Sequence, residues 1–386
     1  MWWDKKYESF RAEIREFAET KIAPISRRMV ENGTFDMSLI PLLHQRGLST
    51  MVLPKKYGGV ECDTLEYTIA VEEVSRVCGS TGITLAACNS LGIFPILAFG
   101  TEEQKEKYLR PVGERGVLIA FGLTEPGAGS DAGGTKTTAV LKGDKWILNG
   151  SKCFITNPTI GEFVVATART DNKGDAHDIS SFIVEKSFPG FSVGKKENKL
   201  GLRGSDTAML HFEDAIIPKE NLLGKVGEGF KQFMITLDGG RISIGAMALG
   251  LGQGAYDLAA EYADTHPAGG KPLSYQQSIA FKLATMATRL EAARHLVYTS
   301  AVMKDRKEPF SMQSAMAKLD ASEVGRFCAE EALAIMGVDG FDARYQVESI
   351  WRDVKLCEIG EGTSEIQRLV ISRALAKERQ AQRQQP

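Results

Sequence analysis

Glu361 stands between Gly360 and Gly362 in EIGEGTSEIQR, residues 358–368, with no Lys or Arg among the four positions on either side. A carboxylate so placed is either a solvated loop residue, as most glutamates are, or a base shown to a ligand that the flanking glycines let approach. Ser364 followed three positions later by Gln367 has the capping-box pattern. A helix is therefore expected to begin near Ser364, leaving Glu361 in the turn that leads into it.

Other stretches could carry chemistry. FGLTEPGAGSDAGGTK, residues 121–136, places four glycines within eight residues beside the hydroxyls of Thr124 and Ser130. Such a loop either lets its backbone amides approach a ligand or makes a tight connection between domains. Its spacing is not that of a Walker A loop, and it is not expected to follow a strand as a Rossmann fingerprint would. In CFITN, residues 153–157, strand alternation puts Phe154 and Thr156 on one face, as a ring and a hydroxyl for one ligand plane or as a half-buried strand end. In LDGGR, Asp238 and Arg241 are three apart, the spacing of an ordinary surface ion pair on a helix.

Three zones must position these residues. Residues 1–115 read as helices: Phe10, Ile14 and Phe17 share a face until Pro24 ends the run, and VEEVSRVCG and EEQKEKYL continue the style between turn signals at PKKYGG and FGTEEQ. From 116 to 225 the period changes to short β-branched runs, with Gly143-Asp144 and Asn149-Gly150 as expected hairpin turns and GEFVVATART and SSFIVEKSF as further strands. Residues 226–386 are helical again: Ile279, Leu283, Met286, Leu290 and Val297 form one stripe, and the Gly/Ala-rich ISIGAMALGLGQGAYDLAA suits a buried helix that neighbouring backbones approach closely. The tail KERQAQRQQP is expected to fray.

Composition narrows the function. A 386-residue chain with 43% apolar and 25% charged residues is ordinary globular protein, and a formal charge of −2 without a long basic block gives no footprint for nucleic acid or an anionic membrane. The six cysteines are scattered, without C-x-x-C or a Cys/His cluster, so thiols in a reducing compartment are expected rather than disulfides or a metal site. MWWDKKYESFRAEIREF lacks the basic-then-apolar order of a signal peptide, and no apolar run reads as long enough to span a membrane. The expectation is a cytoplasmic protein acting on small molecules, without membrane insertion.

TEPGAGSD, FITN, LGLRGSDT (200–207) and EGTSEIQR, in this order, resemble the acyl-CoA dehydrogenase family over nearly the whole chain. The resemblance implies a mainly α fold with a middle β domain: an N-terminal helical domain, a β-barrel-like domain and a C-terminal four-helix bundle. It also implies FAD and an acyl-CoA thioester, from which Glu361 takes the α-proton while the β-hydrogen leaves as hydride to the flavin, giving a trans-2-enoyl-CoA. An α-proton of a thioester is weakly acidic, so such a base needs a raised pKa and donors for the enolate oxygen. The resemblance supplies these donors as the Glu361 N–H and a ribityl hydroxyl of FAD. It places Phe121, Leu123, Thr124, Ser130, Phe154 (where many relatives have Trp), Thr156, Thr363 and Glu365 at the cofactor, and Ser130, Asp238, Arg241 and Gly362 at the substrate. Relatives of the isovaleryl type carry the base one residue before the arginine, which here is Gly240.

TGITLAACNSLG, residues 81–92, resembles the short-chain, butyryl type, and Gly360 replaces a common Tyr, so a short acyl group that is branched or substituted is expected. The family's R-x-x-F-G clamp on a neighbouring subunit's FAD is here HPAGG, with His266 and Gly269, and its Q-x-x-G-G is AIMGV, with Ala334 and Val338. All four losses fall on the half of the site that serves a neighbour's FAD. They imply an α2β2 tetramer in which a related subunit supplies the clamp, or else a homotetramer with weakly held FAD. The alternative from another class is a CoA-ester-binding or lyase-type relative with weak or absent FAD. An electron-transfer flavoprotein is the implied electron acceptor.

Overall fold

The computed structural model describes residues 4–170 and 178–384. The N-terminal helices are α1 (Lys5–Phe17), α2 (Ala23–Asn32), α3 (Leu39–Gln45), α4 (Thr64–Val77), α5 (Gly79–Ala86), α6 (Phe94–Phe99) and α7 (Glu102–Arg115). Pro24 does not end the first run. A π-helical turn over Ala18–Ile22 carries α1 into α2, and Pro24 lies in the first turn of α2, directly after the π-turn. Met1–Trp3, the first residues of the stretch weighed against a signal peptide, lie outside the described residues.

The middle region is one sheet. Its strands are β1 (Ile119–Gly122), β2 (Thr138–Lys142), β3 (Lys145–Thr156), β4 (Phe163–Arg169), β5 (Ile179–Glu185), β6 (Phe191–Lys196), β7 (Thr207–Pro218) and β8 (Leu222–Leu223). Neighbours run in the order β6-β7-β3-β2-β4-β5-β8, with β1 pairing in parallel with β4. Gly143-Asp144 does turn β2 into β3. Asn149-Gly150 does not: β3 continues through it with a register shift against β7. Asn149 is held within the sheet because its side chain donates to Asp214 Oδ1 at 3.0 Å and accepts from the Asp214 N–H at 2.8 Å, so the dipeptide forms a bulge instead of a turn. The glycine-rich loop does follow a strand, the short β1, but only a single 3-10 turn over Ala132–Gly134 comes after it.

The C-terminal helices are α8 (Gly229–Thr265), α9 (Gln277–Asp305), α10 (Ser311–Met336), α11 (Val347–Val354) and α12 (Ser364–Gln384), with a small ribbon, β9 (Pro267–Ala268) and β10 (Lys271–Pro272), between the first two. The tail stays helical to Gln384, exposed along its length; Gln385 and Pro386 lie outside the described residues. The run Gly79–Phe99 is, contrary to the sequence reading, long and apolar enough to cross a membrane, yet most of it is packed inside the protein. It lies against α8 and β1 as a core element.

α8 is the axis of this core, packing against α4, α9 and α10. Its glycines permit the closest approach: a Cβ on Gly250 would lie 2.2 Å from the Glu72 carbonyl oxygen, and one on Gly254 2.2 Å from that of Arg76, both on α4. A side chain there must push two helix backbones apart. Gly250→Ala is expected to destabilise the fold by about 1–3 kcal/mol through overpacking, read as a lower urea midpoint with an unchanged slope.

Candidate active site

Glu361 lies in the turn between α11 and α12 with φ 54°, a left-handed conformation uncommon for a residue with a side chain. The turn is pinned, not flexible. Gln367, fully buried on α12, donates its side-chain amide to the carbonyls of Gly362 (2.8 Å) and Glu361 (3.3 Å). The helix starts at Ser364 as expected, but the capping box does not form. Thr363 Oγ1 takes the Ile366 N–H at 3.3 Å, while Gln367 turns back to the loop and Ser364 Oγ is buried without a partner.

Both carboxylate oxygens of Glu361 are buried and find no hydrogen-bond partner among the described residues. Desolvation pushes its pKa up to about 7, opposed by the positive charges of Lys318 and Arg241. Neither cation pairs with it. Lys318 Nζ donates to the Gly362 carbonyl at 2.6 Å, and Arg241, buried on α8, bonds Asp238, whose carboxylate also accepts from Ser311 Oγ at 3.0 Å. Asp238 and Arg241 are thus an interior pair, with Arg241 Nε buried and unpartnered. Burial moves Asp238 upward despite its arginine.

The space for the carboxylate is made by the central helix. A Cβ on Gly240 would lie 1.8 Å from Glu361 Oε2, so any side chain at 240 would occupy the carboxylate's own position. Near it, from α4 and the segment after α5, come the buried hydroxyls of Tyr67 and Ser90, both donating to the Ala86 carbonyl (3.1 and 2.7 Å), and Ser243 on α8. Glu361 and these hydroxyls influence the Tyr67 phenol, which burial pushes well above its ordinary range.

The second group of candidates sits at the sheet. The Cys153 N–H donates to the Thr124 carbonyl at 2.9 Å, which sets the glycine-rich loop beside the end of β3. Phe154, at a left-handed position (φ 57°) where β3 shifts register against β7, is 66% exposed, Ile155 after it is buried and Thr156 is half-buried, so the simple strand alternation expected over this stretch is interrupted at Phe154. Beneath the loop, buried Lys152 donates to Glu125 (2.7 Å), the Leu123 carbonyl (3.3 Å) and Thr167 (3.2 Å), while Glu125 accepts the Lys136 and Thr137 N–H groups. Phe121 pairs along β1 with Val165 of β4; Ser130 and Glu365 are exposed.

An exposed ring near the end of β3, with the glycine-rich loop tied beside that strand and open space over Gly129, fits a planar cofactor such as a flavin. The residues that depart from the expected clamp do not fit its other end. The His266 ring stacks on Tyr262 (3.7 Å, 15°) and bonds the Tyr262 carbonyl through Nδ1 at 2.9 Å, while Gly269, Ala334 and Val338 are exposed and offer no polar side chain.

Comparison with known proteins decides the family. The acyl-CoA dehydrogenase N-terminal, middle and C-terminal domain families match residues 4–115, 120–215 and 227–376. The chain belongs to the acyl-CoA dehydrogenase family. It is 45% identical to the short-chain specific acyl-CoA dehydrogenase of Clostridium acetobutylicum, over 95% of this chain and 97% of that one. It superposes on butyryl-CoA dehydrogenase from Megasphaera elsdenii with a TM-score of 0.93 at 43% identity, covering 96% and 97% of the two chains. A chain from the structural work on the electron transferring flavoprotein of Acidaminococcus fermentans gives the same TM-score at 47% identity, covering 95% and 97%. The protein is therefore an oxidoreductase of a family whose members are FAD flavoproteins, with the mainly helical three-part fold expected.

Sequence reasoning missed Lys318, Gln367 in its clamping role, and the Lys152–Glu125 pair. The last was within reach, because Glu125 lies in the quoted glycine-rich stretch and Lys152 immediately precedes CFITN. Lys318 had no local signal: it is one of many lysines at helical spacing and meets Glu361 only through the fold.

The raised carboxylate sets a pH test. A carboxyl whose folded pKa lies above its unfolded one costs no stability below about pH 4.5 and progressively more as pH rises through about 7. Glu361→Gln is thus expected to stabilise the protein at pH 8, by about 1–3 kcal/mol, and to leave it unchanged near pH 4.5, measured by thermal unfolding at both pH values. Gly240→Ala, by displacing the carboxylate, is expected to lower kcat at least about tenfold without loss of bound flavin, checked by kinetics beside the visible spectrum.

Proposed function

We propose that the protein is a short-chain acyl-CoA dehydrogenase in which Glu361 removes the α-proton of the thioester. The observation that carries this reading is a buried, unpaired carboxylate with a pKa near 7, aimed into space that Gly240 leaves open. Near neutral pH such a group is poised to take a proton and to keep it. Among the described residues the Glu361 N–H donates to no acceptor, so it is available to the thioester oxygen as negative charge develops there. Asp238, Arg241, Ser130 and Gly362 are the proposed substrate contacts, and Phe121, Leu123, Thr124, Ser130, Phe154, Thr156, Thr363 and Glu365 the proposed cofactor contacts. When bound, FAD supplies the acceptor for the β-hydride.

We further propose a short acyl group that is branched or substituted. Gly360 supports this, because nothing in the fold requires glycine there. Its φ is not left-handed, and a Cβ would meet only Leu356, at an ordinary 3.5 Å. A missing side chain that the backbone does not need is room for a ligand.

The assembly we propose is an α2β2 tetramer with a related subunit that supplies the phosphate clamp, and the proposed electron acceptor is an electron-transfer flavoprotein. His266, held against Tyr262, cannot replace the charged fork of an arginine at a pyrophosphate. The proposed setting is cytoplasmic.

Two measurements test this. In the visible spectrum of the purified chain, butyryl-CoA is expected to bleach whatever flavin is bound, and substoichiometric flavin that rises to a full complement when a related subunit is co-expressed is the sign of a missing partner. A full complement in the chain alone overturns the heteromeric assembly, and bound flavin that does not bleach with any short thioester favours the non-redox alternative. Comparison of isobutyryl-CoA and cyclic thioesters with butyryl-CoA is expected to favour the bulkier group, and Gly360→Tyr to reverse that preference; turnover confined to the straight chain sinks the branched assignment.

A further inference from the structure

α10 holds the Glu361 loop at two points. Lys318 Nζ reaches the Gly362 carbonyl at 2.6 Å, and one turn later Ser322 Oγ reaches the Cys357 carbonyl at 2.8 Å. The left-handed Glu361 lies between these anchors. The Lys318 side chain is fully buried, and among the described residues it forms no ion pair. An ammonium buried without a carboxylate is rarely kept unless something in the site needs its charge.

The other groups facing Glu361 are already committed. Arg241 on α8 is engaged by Asp238, Tyr67 on α4 donates to the Ala86 carbonyl, Glu358 in the preceding turn is paired with Arg326 and Lys355, and Cys357 is a buried thiol pushed upward. Of the two cations that act on Glu361 among the described residues, Lys318 is the one with no carboxylate partner.

We propose that Lys318 is a positioning residue for the base: its bond to the Gly362 carbonyl fixes the turn that aims the Glu361 carboxylate, and its unpaired positive charge stands behind that carboxylate. This rests on Glu361 being the base. Burial brings the Lys318 ammonium down to about 8 and the Glu361 carboxyl up to about 7, and each charge opposes the other's shift by stabilising its ionised form.

The test uses the flavin-loaded enzyme and three variants. Lys318→Gln can keep a bond to the carbonyl without the charge, Lys318→Met loses both, and Lys318→Arg keeps the charge. The protonation of Glu361 is followed by its infrared carboxyl band, identified by its loss in Glu361→Gln, beside the pH dependence of kcat/KM with butyryl-CoA. The expected result is that the band midpoint and the acid limb move up together by roughly one pH unit in Lys318→Gln and Lys318→Met, a tenfold change in the protonation equilibrium, and return in Lys318→Arg. Lys318→Met alone is expected also to lower kcat at the pH optimum while KM stays within about twofold. Unshifted midpoints in the neutral variants, with lowered thermal stability as the sole effect, overturn the proposal and leave Lys318 a packing residue. Glu361→Gln with undiminished turnover instead overturns the base assignment itself, whatever the Lys318 variants do.

Discussion

An ionisable carboxylate kept away from both water and a counterion is the constraint around which the interior is arranged. Left alone, a buried carboxylate would take up a proton and become an inert acid; paired directly, it would be too weak a base. Glu361 sits between these limits because two cations act on it from a distance while bonded elsewhere, Arg241 to Asp238 and Lys318 to a backbone carbonyl. That balance needs three helices in fixed positions: α8 to open space at Gly240, α10 to bring up Lys318, and α12 to clamp the turn through Gln367. The close α4–α8 contact at Gly250 and Gly254 then becomes part of the site's support.

The proposed cofactor face depends on a different device. A sheet edge offers side chains at fixed intervals, and the register shift at Phe154 re-aims one of them outward. The Lys152–Glu125 pair below it ties the glycine-rich loop to β3, so a loop with many glycines is held by buried charge. Charge serves both halves, but in opposite ways. At the sheet it is neutralised and structural, whereas at Glu361 it is left unbalanced and available.

Much of this was legible because its signals are local. The three zones follow from periodicity, and the buried central helix from its Gly/Ala content. Local signals also misled where a longer-range contact won. Asn149-Gly150 reads as a turn until Asp214 holds it inside a strand, and Pro24 reads as a stop until a π-turn places it in a helix's first turn. Thr363 took the capping role assigned to Ser364, since Gln367 was drawn to the loop carbonyls. Lys318 was invisible in the sequence because the 42 positions between it and Glu361 carry no periodic link; only the packing of α10 under the loop does.

Gly240 and Gly360 look alike in the sequence and mean different things. At 240 a Cβ would lie 1.8 Å from a carboxylate oxygen, so glycine is imposed by the Glu361 side chain, and the residue reports how the site is built. At 360 the backbone is ordinary and a Cβ would have room, so the absence of a side chain is imposed by nothing inside the chain. The fold permits glycine at 360 without requiring it, and the room it leaves is what supports the branched or substituted acyl group proposed for this protein. A glycine required by its neighbours and one merely permitted by the fold thus bear on different questions, the first on where the proposed base sits and the second on the acyl specificity proposed for this member.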